Sequence, residues 1–148
     1  MKTDVFAYGL LMYEDVLFAL TGRLFSLEPV KVHHHQRMNF VKQGWPKLAV
    51  VLPQHGATVN GVLIRNVDAD TLRLLDLFEG VEDDLYCRSR VRVASDSGEE
   101  VNAEIYLGTE ATGSMASGVW DEAEFLRNHH RHYMEVVIPE FLREIEYL

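Results

Sequence analysis

The sequence predicts an α+β fold: a curved, mostly antiparallel sheet or small barrel with a few helices set against it. Three observations carry this. Short β-like stretches follow one another closely, and they do not alternate with helices as regular βαβ units. Two short helical patterns interrupt the strands, and a longer one ends the chain. The chain has 148 residues, the size of one domain, so 1–148 is read as a single unit able to bury a sizeable core.

The elements follow in order. Thr3 to Tyr8 is a short apolar strand, and Gly9 permits a turn. Residues 13–21 form a helix with Val16, Leu17 and Leu20 at helical spacing and Gly22 as its stop. Pro29 to Val41 is β-like. A loop at Gly44-Trp45-Pro46 leads to a buried strand, Leu48 to Leu52. Gln54-His55-Gly56 reads as a turn, and Thr58 to Val67 as a further strand with Gly61 as a bulge. Asp68 caps a helix whose Leu72, Leu75 and Phe78 share a face and which ends at Glu79-Gly80. Residues 85–94 and 100–107 form a hairpin around Asp96-Ser97-Gly98. Residues 109–118 are small and Gly-rich, a loop. Asp121 opens a long helical stretch, bent or broken near Pro139.

Bulk properties narrow the function. The net charge of −9 argues against nucleic acid, which needs a basic surface to neutralise phosphates. It also disfavours an anionic membrane surface. The longest apolar run near the start, Val5 to Tyr13, is well short of the roughly 20 residues that span a bilayer. Asp4, Glu14 and Asp15 spoil a signal-peptide pattern. Cys87 is the one cysteine, so no internal disulfide forms, and a cytoplasmic setting is expected.

Glu79 is the residue with the most chemical promise. It follows a helical apolar pattern and precedes Gly80, with Phe78 and Val81 as apolar neighbours. A carboxyl partly removed from water has a raised pKa and can act as base and then as acid. The residues alone equally allow a solvated acid at a helix end. Val5-Phe6-Ala7-Tyr8-Gly9-Leu10-Leu11 reads as a strand running into a Gly turn, whose backbone N–H groups can bind an anion or a developing oxyanion.

Several segments, in order, resemble the gamma-glutamylcyclotransferase-like family, which includes the avirulence-induced-gene-like proteins. Tyr8-Gly9-Leu10-Leu11 resembles its Tyr-Gly-Ser/Thr-Leu loop. Gly61-Val62-Leu63, Leu74 to Gly80, and Tyr86-Cys87-Arg88 resemble its Gly-x-Leu, Leu-Asp-x-x-Glu-Gly and Tyr-x-Arg elements. Ala103-Glu104-Ile105-Tyr106 resembles its Ala-x-x-Tyr strand, and Trp120-Asp121 its carboxy-terminal part. The resemblance implies a small mixed barrel with flanking helices and a cavity at the Tyr-Gly loop. It implies a small γ-glutamyl amine or peptide as substrate, cyclised to 5-oxoproline with release of a free amine, without metal or cofactor. The catalytic carboxylate would be Glu79, and Tyr8, Gly9, Leu10 and Leu11 would hold the glutamyl part. Leu10 departs from the family's Ser or Thr, which removes a hydroxyl and adds bulk. That departure keeps open a non-catalytic binding protein on the same fold, or a related acyl transferase.

Other residues carry secondary expectations. Tyr86 is either a substrate contact through its hydroxyl or a strand aromatic with a wet tip. Arg88, Arg90 and Arg92 share a strand face that pairs with Glu99, Glu100 and Glu104, with Arg88 the exception expected to reach substrate. Asp76 is expected to partner a cap or an arginine. Cys87 falls on the apolar strand face and is read as core. His33-His34-His35 and the pair His129 and His132 do not amount to a metal site. Trp45 and Trp120 are read as core anchors. The leaving amine and the oligomeric state stay open.

Overall fold

The computed structural model describes residues 2–41 and 47–146. Five strands run β1 (Lys2–Ala7), β2 (Leu27–Phe40), β3 (Leu48–Asp68), β4 (Tyr86–Ser95) and β5 (Glu100–Gly108). They pair in the order β1-β3-β2-β4-β5, antiparallel at each of these four steps. The ends then meet, because β5 pairs β1 in parallel through Val5–Glu104 and Phe6–Ile105 and closes the sheet into a barrel. Closure joins the two ends of the sheet and makes an inside that side chains must fill. Phe6, Leu63, Ile64 and Ile105, on the three strands that meet at the closure, are fully buried. Each contributes roughly 1.5–3 kcal/mol by leaving water.

Helices flank the barrel: α1 (Glu14–Thr21), α2 (Ala69–Glu79), α3 (Glu110–Met115), α4 (Glu122–Asn128), α5 (His130–His132) and α6 (Ile138–Ile145). A 3-10 turn, Leu10–Met12, links β1 to α1. The start and stop of α2 are both encoded locally. Asp68 Oδ1 accepts from the Thr71 N–H at 2.7 Å. At the other end Gly80 is left-handed (φ 75°), its N–H donates to Leu77 O, and the Val81 N–H donates to Asp76 O. This paired bond pattern terminates the helix one residue after Glu79.

The structure departs from the sequence expectation at several points. Leu48–Asp68 is one strand, with no turn at Gln54-His55-Gly56. Both halves pair with β2: His33 faces Thr58 and His35 faces Pro53, so β3 holds extra residues between two consecutive contacts. Gly56 (φ 83°) and His34 (φ 62°) absorb the distortion. Gly61 is not a bulge; it pairs regularly with Val30, and a Cβ there would lie 2.3 Å from Ala7 O. The bulge falls instead between the Thr3–Val67 and Val5–Ile64 pairs.

The expected loop at 109–118 contains helix α3. Thr109 caps it, and the buried Thr112 hydroxyl donates to Leu85 O at 2.8 Å. Small residues fit there because Gly113 packs against Leu52, whose Cδ2 would lie 3.3 Å from an added Cβ. Asp121 does cap a helix, but the carboxy-terminal stretch first breaks at His129 (φ −126°). A π turn, Tyr133–Val137, then precedes Pro139. Proline has no N–H to give the carbonyl four residues back, and the wider turn shifts the ladder before it. The Gly44-Trp45-Pro46 loop, with Trp45, lies outside the described residues.

Candidate active site

Helix α2 ends where the first strand ends, and a narrow cavity of about 40 Å³ lies between them. Its walls are Phe6 to Leu11, Leu48 and Ala49, Phe78 and Glu79, and Leu85, Tyr86 and Tyr106. It has room for a few waters. The expected residues Tyr8, Gly9, Leu10, Leu11, Tyr86 and Glu79 thus line one space although they come from two distant parts of the chain. Gly9 is needed for close approach, since a Cβ on it would sit 2.9 Å from Ala49 Cβ.

The tyrosines are tied to the barrel's backbone. The Tyr86 hydroxyl donates to Ala49 O at 2.7 Å, and the Tyr8 hydroxyl donates to Tyr106 O. The Tyr106 hydroxyl donates to Asp76 Oδ1 at 2.7 Å. Burial pushes the phenols of Tyr8, Tyr86, Tyr106 and Tyr133 above their ordinary range, and all four also feel the charge of Glu79. These groups stay neutral and can only donate or accept hydrogen bonds.

Among the described residues Glu79 is the one carboxylate on the cavity wall. It is dense with protein on most sides and touches solvent only in part. Among the described residues no cation pairs with it; Arg88 is turned to Asp76 and Glu104 instead. Burial first, and the Asp76 charge second, raise its pKa from 4.5 to about 8. A carboxyl so placed holds a proton at neutral pH and can exchange it with an amine.

Two residues differ from expectation. Arg88 does not line the cavity. Its Nε donates to Asp76 Oδ1 at 2.9 Å and its Nη1 to Glu104 Oε1 at 3.0 Å, beside an outer groove that also holds Lys2 and Arg90. Two carboxylates satisfy its planar donors and hold it there. Cys87 is exposed, not core. Its strand neighbour Tyr86 is buried, and successive side chains on a strand leave by opposite faces. Asp76, expected as an arginine's partner, is one.

Arg37 was not picked out from the sequence. From β2 its Nη1 donates to Tyr8 O at 2.8 Å and to Asn60 O at 3.1 Å, and its guanidinium lies 4.8 Å from the centre of the Trp120 ring. It therefore holds the carbonyl side of the Tyr8-Gly9 turn. Trp120 is buried, as expected, and packs on Phe125. Tyr133, also missed, is fully buried on the π turn and near enough to feel the charge of Glu79. Among the described residues no three His, Cys, Asp or Glu side chains are placed to hold a metal. His34 stacks on His55, and His129 pairs with Glu124 at 3.2 Å.

Residues 5–122 match the family described as Gamma-glutamyl cyclotransferase, AIG2-like. The chain belongs to this family. AIG2-like protein C of Arabidopsis thaliana is 28% identical over 140 residues, covering 94% of this chain and 77% of that protein. AIG2-like protein D of the same plant is 27% identical, covering 96% of this chain and 90% of that protein. Among solved structures, one described as a gamma-glutamyl cyclotransferase superposes with a TM-score of 0.66 at 20% identity, over 80% of this chain and 70% of that one. A yeast gamma-glutamyl cyclotransferase specific to glutathione superposes with a TM-score of 0.56 at 13% identity, over 95% of this chain and 86% of that one. These likenesses establish the fold. The family match covers the cavity's contributing segments, from the Tyr8 turn through Glu79 to Tyr106. Among the described residues no helix is long and apolar enough to cross a membrane.

Proposed function

We propose that this AIG2-like chain is a cyclotransferase acting on a small γ-glutamyl amine or peptide and releasing 5-oxoproline and a free amine. The observation that carries this is the Glu79 carboxyl, unpaired by any cation among the described residues, facing the Tyr8-Gly9-Leu10-Leu11 turn across one cavity. The substrate's α-ammonium has no lone pair. Glu79 as carboxylate takes one proton from it; the freed amine attacks the γ-carbonyl and, cationic once the new C–N bond forms, gives up a second proton; the C–N bond to the leaving amine breaks as Glu79 returns a proton to that nitrogen, and the released amine takes up the other. A pKa of about 8 lies near that of an α-ammonium, so neither transfer is steeply uphill. Ring closure is intramolecular, so holding the glutamyl chain folded supplies much of the rate. Backbone N–H groups of the turn are the donors for the α-carboxylate or the oxyanion. Tyr86 adds wall rather than a free donor, its hydroxyl being given to Ala49 O. The unpaired Cys87 thiol fits a reducing, cytoplasmic setting.

The test is release of 5-oxoproline from a panel of γ-glutamyl amines and peptides, with Glu79→Gln as control. Inactivity on every member, or full activity of the variant, overturns the reading. Leu10 favours a second reading, a binding protein without turnover, because it fills the turn with an apolar side chain. Retention of a γ-glutamyl compound by calorimetry without product would favour it.

A further inference from the structure

Asp76 lies one helical turn before Glu79 on α2, so the two carboxyls are neighbours on one helix face. Its Oδ1 accepts from two donors, the Tyr106 hydroxyl at 2.7 Å and Arg88 Nε at 2.9 Å. Tyr106 is itself a cavity wall, and its backbone oxygen accepts the Tyr8 hydroxyl. One chain of bonds therefore runs from the substrate turn through Tyr106 to the helix that carries Glu79.

The arrangement is electrostatically lopsided. Arg88 is shared between Asp76 and Glu104, so one positive charge serves two negative ones. The trio keeps a net negative charge, and Glu79 is the next carboxyl along. Among the described residues the other titratable groups near Glu79 are phenols: Tyr8 just after β1, Tyr86 from β4, Tyr106 from β5 and Tyr133 from the π turn. All four stay neutral in the ordinary pH range because burial resists their ionisation. Among the described residues Asp76 is thus the one near charge that discriminates between the two protonation states of Glu79.

We propose that Asp76 is a positioning residue for the reaction: held by Tyr106 and Arg88, it supplies the fixed negative charge under which the Glu79 carboxyl works. The inference rests on the cyclotransferase reading, in which Glu79 exchanges a proton with substrate. Asp76 itself touches no reacting atom. An aspartate whose only task was to tie Tyr106 and Arg88 to α2 would leave the titration of Glu79 unmoved when replaced by its isostere.

The experiment follows the Glu79 side-chain carbon by NMR in full-length protein labelled with ¹³C-glutamate, its signal assigned by loss in Glu79→Gln. In Asp76→Asn, the midpoint is expected to fall by roughly one pH unit, because a like charge has gone while the shape is kept. In Arg88→Gln, which strips the neutralising cation, it is expected to stay or rise. The acid limb of kcat/KM should move in the same direction as each midpoint. An unmoved midpoint in folded Asp76→Asn overturns the proposal, as does a fall in Arg88→Gln, which tests it even if Asp76→Asn does not fold. The two readings fail separately. Shifted midpoints without any 5-oxoproline from the wild type support the field of Asp76 and sink the cyclotransferase; 5-oxoproline with unmoved midpoints does the reverse.

Discussion

Glu79 is surrounded by four phenols and one carboxylate, and the absence of a cation among these neighbours gives it its character. A carboxylate buried without a partner avoids the desolvation cost by keeping its proton. On the cyclotransferase reading, kcat/KM should rise with pH along a limb centred near 8, since free Glu79 must be the carboxylate to take the substrate's proton. A limb centred near 4.5 would mean that the group is solvated in solution. Glu79→Gln should lower kcat/KM by roughly 10²–10⁴-fold, the usual span for a lost acid/base, as read by 5-oxoproline release. At this scale much was legible. Gly80 is a local helix stop, whereas Glu79 and the Tyr8 turn stand out through the ordered motifs that resemble the family, since the residues alone also allow a solvated acid and an ordinary strand end. Arg88 was not: strand alternation puts it on the Tyr86 face but does not say which acids from other elements will claim it. Cys87 misled for the same reason, since Leu85, Val91 and Val93 suggest one buried face where Tyr86 defines the other.

At the scale of elements, two local devices aim the site. The first is the end of α2. Gly80→Ala would force a left-handed residue to carry a Cβ, which would also lie 2.7 Å from Leu85 Cδ1. The expected cost is about 1–3 kcal/mol in urea unfolding, with activity lost beyond what stability explains, because the residue before it is Glu79. A neutral result would show that Leu85 can move aside freely. The second device is Arg37. Arg37→Met keeps much of the bulk over Trp120 but leaves Tyr8 O and Asn60 O without that donor, at a cost of about 1–3 kcal/mol. If the turn's backbone holds the glutamyl part, KM should rise more than kcat falls; an unchanged KM would separate Arg37 from the turn. The helix boundaries at Asp68, Gly80 and Asp121 were legible because capping is local. Helix α3 was not, because Thr112, Gly113 and Ser114 are poor helix formers and the helix is held by contacts of Thr112 with Leu85 and of Gly113 with Leu52.

At the scale of the molecule, the site draws on stability. The folded pKa of Glu79 lies above its unfolded value, so the folded chain binds this proton more tightly. Its stabilising share is full below pH 4.5 and is lost as pH rises through about 8. The sum lost is on the order of a few kcal/mol. Glu79→Gln should therefore match the wild type near pH 4 and be the more stable protein near pH 9, by chemical denaturation at both values. Equal stabilities at pH 9 would mean the burial of Glu79 is relieved in solution.

The chain by itself determined the α+β class, both ends of α1 and α2, the start of α4, the β4–β5 hairpin and the two segments that line the cavity. Each depends on neighbours within a few residues: caps, alternation and turn glycines act locally. Tertiary structure alone decided that β5 returns to β1, that β3 runs through Gln54-His55-Gly56 without turning, and that Arg37, Tyr106 and Tyr133 stand around the Tyr8 turn and Glu79. Closing a barrel joins residues a hundred positions apart. Which of their side chains share its interior depends on register and on competing partners, and neither is written in any one stretch of sequence.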